Sequence, residues 1–119
     1  GLLTGKFTRE RAENFPDDDW RKGREWFAEP QLNANLALVE GLRPIAERQG
    51  RTVAQLAIAW ALRRPEVTSV IVGARYPWQI EEDVAAWGWE LSAEDIAEID
   101  VLLAEREREL ERARTEPHT

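Results

Sequence analysis

The sequence predicts an α/β fold, mostly helical in this chain, with a single strand. Two patterns and their combination lead there. Apolar residues recur at helical spacing on both sides of a central segment, over residues 32–49, 53–63, 77–86 and 92–112. The central segment, 67–72, is mostly β-branched and is polar only at Thr68 and Ser69, as in a parallel strand covered on both faces. A strand of that kind needs neighbours, and the rest of the chain supplies none. Helix–helix–strand–helix–helix therefore reads as part of an α/β protein whose other strands lie elsewhere. The start at Gly1, not at Met, fits the same expectation of a fragment.

Residues 1–31 read as a long irregular loop. Gly1, Gly5, Gly23, Pro16, Pro30 and the run Asp17-Asp18-Asp19 break any period. Phe7, Phe15, Trp20, Trp26 and Phe27 read as anchors pinning the loop to a surface, and loops of this length are often functional. From 32 to 49, Leu32, Leu36, Val39, Leu42 and Ile45 share one helical face. Pro44 should kink or restart that helix, and Gly50 should stop it. Thr52-Val53-Ala54-Gln55 has the form of a capping box. The helix it opens, 53–63, is almost wholly apolar, which predicts burial on most sides, and Pro65 ends it.

After the strand, Pro77 opens a helix that should carry Ile80 and Val84 inward, and Trp87-Gly88-Trp89 forms a turn. Leu91, Ser92, Asp95 and Ile96 form an N-cap with a hydrophobic staple. The last helix, 92–112, places Ile96, Ile99, Leu102 and Leu103 on one face. Beyond Leu103 it should be helical but exposed, and the tail, 113–119, should be disordered from Thr115 onward.

Composition narrows the function. The chain has 119 residues, 43% hydrophobic and 33% charged, enough for one domain. Twenty-three acidic residues against sixteen basic leave a net charge of −7, which opposes a general nucleic-acid binder. The acidic run at 17–19 and the charged C-terminus read as solvated surface. No apolar run is long enough to span a membrane, so neither nucleic acid nor membrane is expected as a partner. The absence of Cys removes disulfides and thiolate chemistry and is compatible with the cytoplasm.

Chemistry concentrates where the strand ends. Gly73-Ala74-Arg75 followed by Pro77 places a tight turn and a helix N-terminus beside a guanidinium. Backbone N–H groups, the positive end of the helix dipole and a bidentate Arg together suit a phosphate. The same residues also read as an ordinary strand-to-helix connection with a solvated Arg.

The ordered set of motifs resembles the C-terminal part of an aldo-keto reductase, from Gly1 to about Leu103. The motifs are Gly1-Leu-Leu-Thr-Gly-Lys6, Phe15-Pro-Asp-Asp-Asp-Trp-Arg21, Thr52-Val-Ala-Gln-Leu-Ala-Ile-Ala-Trp60, Ser69-Val-Ile-Val-Gly-Ala-Arg75 with Gln79, Glu82 and Asp83, and Trp89-Glu-Leu-Ser92. The resemblance implies a (β/α)8 TIM barrel that reduces carbonyl compounds with NADP(H). A full barrel takes about 250 residues, so less than half would be present. Residues 1–31 would follow the seventh strand, 32–63 would be helices, 67–72 would be the eighth strand, and 73–86 the cofactor loop and its helix.

By the same resemblance, Gly73 and Ala74 supply the turn and backbone donors, Arg75 pairs with the adenosine 2′-phosphate, and Gln79 contacts the same part of the nucleotide. Glu82 and Asp83 approach the ribose and adenine. Gly1 and Lys6 lie near the pyrophosphate, and Arg21 folds over it. Asp83 departs from the family, which usually has Asn there. An ionised Asp only accepts hydrogen bonds, so altered cofactor affinity is expected.

The family's catalytic Asp, Tyr, Lys and His match nothing in this chain, so no catalytic residue is assigned. Tyr76 sits in the cofactor loop and His118 in the tail. The partners implied are a small carbonyl substrate, with residues 7–31 forming one wall of its pocket, and the missing N-terminal half of the barrel. Two other readings remain. One is a non-catalytic nucleotide-binding regulatory subunit of the same barrel family, such as a channel-associated subunit. The other is a helix-turn-helix DNA-binding module built on Thr52-Val-Ala-Gln-Leu-Ala, which the β-branched segment after it and the acidic charge oppose.

Overall fold

The structure, a computed structural model, describes residues 1–67 and 69–116. Among the described residues, five α-helices follow in order: α1 (Arg9–Glu13), α2 (Gln31–Arg48), α3 (Val53–Leu62), α4 (Pro77–Val84) and α5 (Ala93–Thr115). Single 3₁₀ turns occur at Leu2–Thr4 and Glu25–Phe27. Among the described residues, no helix is long and apolar enough to cross a membrane.

α2 is the central element. It packs along α5, against α3 and against the Glu25–Phe27 turn. Val39, Leu42, Ile45 and Ala46 of α2 bury against Val53 and Leu56 of α3 and Ile99 of α5. Each of the Val, Leu and Ile side chains among these stabilises the fold by ~1.5–3 kcal/mol through area removed from water. Gly41 allows α2 and α5 to approach, because a Cβ there would lie 2.6 Å from Leu102 Cδ2.

The helix ends follow local chemistry. Gly50 has φ +64° and closes α2 in a Schellman motif, with Arg51 N–H donating to Ala46 O and Gly50 N–H to Glu47 O, both at 3.0 Å. The capping box at α3 forms as expected: Gln55 N–H donates to Thr52 Oγ1 at 3.2 Å, and Thr52 N–H to Gln55 Oε1 at 3.0 Å. Ser92 Oγ caps α5 by accepting from Asp95 N–H at 3.1 Å. Asp95 is buried and bonds Arg48 at 2.8 Å, which ties the start of α5 to the end of α2.

The structure corrects several expectations. α2 runs through Pro44 without a break, because core residues lie on both sides of the proline and hold the two halves in one register. Residues 1–31 contain α1, N-capped by Thr8 Oγ1, and two 3₁₀ turns. Their aromatics form a satellite core of their own, in which the rings of Phe7, Phe15 and Phe27 lie 5.2–5.8 Å apart. Trp20 and Trp26 remain exposed at its edge. Residues after Leu103 are not simply exposed: Leu110 is buried, and Arg106 Nε donates to Asn35 Oδ1 at 2.7 Å. α5 continues to Thr115, and the part of the expected tail at 117–119, including His118, lies outside the described residues.

The strand is the main correction. No strand occurs among the described residues; position 68 lies outside them, and 67 and 69–72 join no ladder. Ile71 is fully exposed and Val67 and Val72 are more than a third exposed, so neither face is buried. The cause is the pairing requirement: a strand's N–H and C=O groups need a partner backbone, and none is present among the described residues. The same cause corrects two helices. Ile80 and Val84 of α4 are exposed at 55% and 65%. On α3 only Val53, Leu56 and Ala59, one face, are buried. Ile58, Leu62, Val70, Val72, Val84 and Trp87, with Ser69 and Asp83, line an open and largely apolar cavity.

Candidate cofactor site

Three separated parts of the chain meet around a cleft of about 680 Å³. The N-terminal segment contributes Gly1, Leu3, Thr4 and Arg21. α3 contributes Ala54, Ala57 and Ile58. The third side is residues 70–75 with Gln79 and Asp83 of α4. The structure thus brings together Gly1, Arg21, Gly73, Ala74, Arg75, Gln79 and Asp83 of the nine residues expected from sequence.

Two do not reach it. Lys6 Nζ lies 4.3 Å from the centre of the Trp78 ring in a cation–π contact and does not line the cleft. Glu82 also stays out of the lining; its backbone O accepts from Gln55 Nε2 at 3.0 Å, which fastens α4 to α3.

Gln79 shapes the turn. Its Oε1 accepts from Tyr76 N–H at 3.0 Å and from Arg75 N–H, which holds the turn. Among the described residues, the N–H groups of Gly73 and Ala74 take part in no hydrogen bond, and Arg75 makes no ion pair. A guanidinium and two backbone donors are therefore open to an anion at one edge of the cleft.

Arg21 is held differently. Asp19 accepts from its Nε at 3.0 Å, its Nη2 at 2.7 Å and its backbone N–H at 2.9 Å. The guanidinium also lies over the Phe15 ring, 4.6 Å from its centre. This leaves Nη1 directed toward Gly1. The hydrogen bonds from Arg21 hold the Asp19 carboxyl at a pKa of about 2. Asp19 thus holds the Arg21 guanidinium in place and is not the solvated surface expected of it. Its Asp-x-Arg spacing was the available signal; the Phe15 contact had none, because it depends on how the aromatics fold together.

Asp83 shows the opposite perturbation. Its Oδ2 is shut off from solvent and has no hydrogen-bond partner. Burial pushes its carboxyl above the usual range, and neighbouring Glu82 adds to the rise. Its place in the last turn of α4, at the negative end of the helix dipole, also disfavours the anion.

The comparison with known families decides what this arrangement belongs to. The model of the aldo/keto reductase family matches residues 1–104. The chain belongs to the aldo-keto reductase family. Among its relatives, it is 38% identical over 104 residues to the aldo-keto reductase YhdN of Bacillus subtilis, covering 87% of this chain and 31% of that protein. It is 35% identical over 116 residues to the L-glyceraldehyde 3-phosphate reductase of Escherichia coli O157:H7, covering 92% and 32%. The solved structure of the glycerol dehydrogenase AKR11B4 from Gluconobacter oxydans superposes with a TM-score of 0.79 at 34% identity, covering 89% of this chain and 32% of that one.

Further relatives diverge in role. One is an NADH-specific methylglyoxal reductase of Escherichia coli (33% identical, 80% of this chain, 28% of that protein). Another is a probable voltage-gated potassium channel subunit beta of Arabidopsis thaliana (37% identical, 72% and 26%). The aldo-keto reductase match spans about a third of the length of the first two curated relatives. All nine candidate residues fall inside the family region. The end of α5 lies beyond it, yet packs on the same body through Leu110 and Arg106.

Proposed function

We propose that this chain is the cofactor-binding part of an NADP(H)-dependent aldo-keto reductase, a (β/α)8 barrel enzyme that reduces aldehydes and ketones to alcohols. The observation that carries this reading is the convergence of Gly73, Ala74 and an unpaired Arg75 with Gln79, Asp83, Gly1 and Arg21 on one cleft. Arg75 with the Gly73 and Ala74 N–H groups grips the 2′-phosphate. Arg21, oriented by Asp19 and backed by Phe15, reaches over the pyrophosphate with its free edge. Gln79 holds the turn and keeps its amide nitrogen for the nucleotide. Bound NADPH supplies the hydride. The proton donor and its partners belong to the part of the barrel that precedes Gly1, as do most of the groups that choose the carbonyl substrate. A cytoplasmic location completes the proposal.

The NADH-specific relative makes Arg75 the discriminating test. Charge-assisted hydrogen bonds contribute ~1.5–3 kcal/mol, which is about 10- to 150-fold in affinity. Fluorescence titrations should therefore show Arg75→Ala weakening NADPH by that factor and NADH by no more than ~2-fold. Equal losses for both cofactors, or none for NADPH, would refute the assignment.

The likeness to a potassium channel subunit beta supports a second reading, a nucleotide-binding regulatory subunit. The sequence preceding Gly1 separates the two: a catalytic Asp, Tyr, Lys and His there, with NADPH-dependent carbonyl turnover, identifies the enzyme.

A further inference from the structure

Among the described residues, Asp83 Oδ2 is the buried side-chain oxygen that nothing in the chain satisfies. A buried carboxylate without a donor is costly, and an orphan of this kind in a cleft calls for either a proton or a ligand. No donor in the chain bonds it. On its own helix the nearby charges are Glu81 and Glu82, both acidic. α3 faces the cleft with Ala54, Ala57 and Ile58, which carry no charge. From the 70–75 segment comes Arg75, and from the N-terminal segment the Gly1 amino group and Arg21, the latter already committed to Asp19. None of these cations pairs with Asp83.

The two protonation states recognise different ligands. Ionised Asp83 is acceptor-only, and its charge opposes a phosphate-bearing ligand in the same cleft. Neutral Asp83 pairs one O–H donor with one C=O acceptor. Adenine presents the complement, a ring nitrogen acceptor beside an amino donor. We propose that the nucleotide binds to Asp83 as the neutral acid, so that binding takes up one proton at this carboxyl: its O–H donates to an adenine ring nitrogen and its carbonyl oxygen accepts from the amino group. Cofactor affinity then falls as pH rises. This rests on the nucleotide reading of the cleft.

The test measures NADPH binding from pH 5 to 8 by isothermal titration calorimetry, in buffers of different ionisation enthalpy. Wild type should show buffer-dependent heat corresponding to proton uptake. Asp83→Asn carries the donor–acceptor pair without a proton and reports the titration of the 2′-phosphate alone. It should bind like wild type below the Asp83 pKa and more tightly as pH rises through it, the ratio approaching about tenfold per pH unit above that pKa. Glu82→Gln removes one charge that raises that pKa, so its divergence from Asp83→Asn should begin at lower pH. Parallel profiles with no difference in proton uptake would overturn the proton linkage while leaving the cofactor reading standing. No NADPH binding at any pH by wild type or either variant would overturn both.

Discussion

Asn35→Ala is expected to loosen the whole aromatic loop from the helical body. Asn35 is 5% exposed on α2 and joins three parts of the chain. Its Oδ1 accepts from Arg106 Nε of α5 at 2.7 Å, and its Nδ2 donates to Trp26 O at 3.0 Å. Truncation strands two groups. The Arg106 guanidinium keeps only Glu107, and the Trp26 carbonyl keeps nothing. A hydrogen bond to a charged donor contributes ~1.5–3 kcal/mol and a neutral one ~0.5–1.5 kcal/mol. Arg106 is partly exposed, so the lower ends apply, and the summed loss is ~2 kcal/mol. In urea, with a slope of ~2 kcal/mol/M, the midpoint should fall by about 1 M. A double-mutant cycle with Arg106→Ala should return a coupling of ~1 kcal/mol. Because Trp26 adjoins Phe27 and Phe27 contacts Phe15 beneath Arg21, the same variant should weaken NADPH binding. A midpoint shift below about 0.25 M, with no coupling to Arg106, would refute the reasoning.

Three other outcomes follow from the caps and the two perturbed carboxyls. Thr52→Ala should cost ~1 kcal/mol in chemical denaturation through loss of the α3 cap, and Thr52→Ser should recover most of it. The Asp19 carboxyl should titrate with a midpoint of about 2 by NMR. Its depressed pKa stabilises the fold above the ordinary carboxylate range, a contribution lost as pH falls toward 2, and Arg21→Ala should return the midpoint to the usual value. Asp83 has the opposite sign. Its pKa is raised, so the folded state holds the proton more tightly and stability declines as pH climbs from the unfolded value through the folded one. Asp83→Asn should therefore raise the melting temperature at pH 7 and leave it unchanged at pH 3, where the carboxyl is protonated in both states.

Elements specified by neighbours in sequence were legible from residues alone. The α3 capping box, the Ser92 cap and the Gly50 stop depend on contacts within about six positions, and each formed as expected. Pro44 does not restart the helix, because its local cost is outweighed by packing distant in sequence. Arg75, Gln79 and Asp83 reached the cleft because they sit on one turn and the helix that follows it. Lys6 missed it because a tryptophan seventy-two positions later captures its ammonium group. Asp19 escaped notice because an acidic run reads as solvent-facing until its bidentate partner is located.

By itself the sequence determined the four longer helices, the Thr52 and Ser92 caps, the turn bearing Arg75 and the family resemblance, since all of these are short-range or are carried by residue order. Only the tertiary structure decided that Asp19 aims Arg21, that Asp83 is orphaned, and that residues 67 and 69–72 remain outside any ladder with Ile71 bare. The physical reason is common to all three. Partnership across space satisfies a charge, a buried oxygen or a strand backbone, and β-branched composition cannot make a strand where no second backbone is present to pair with it.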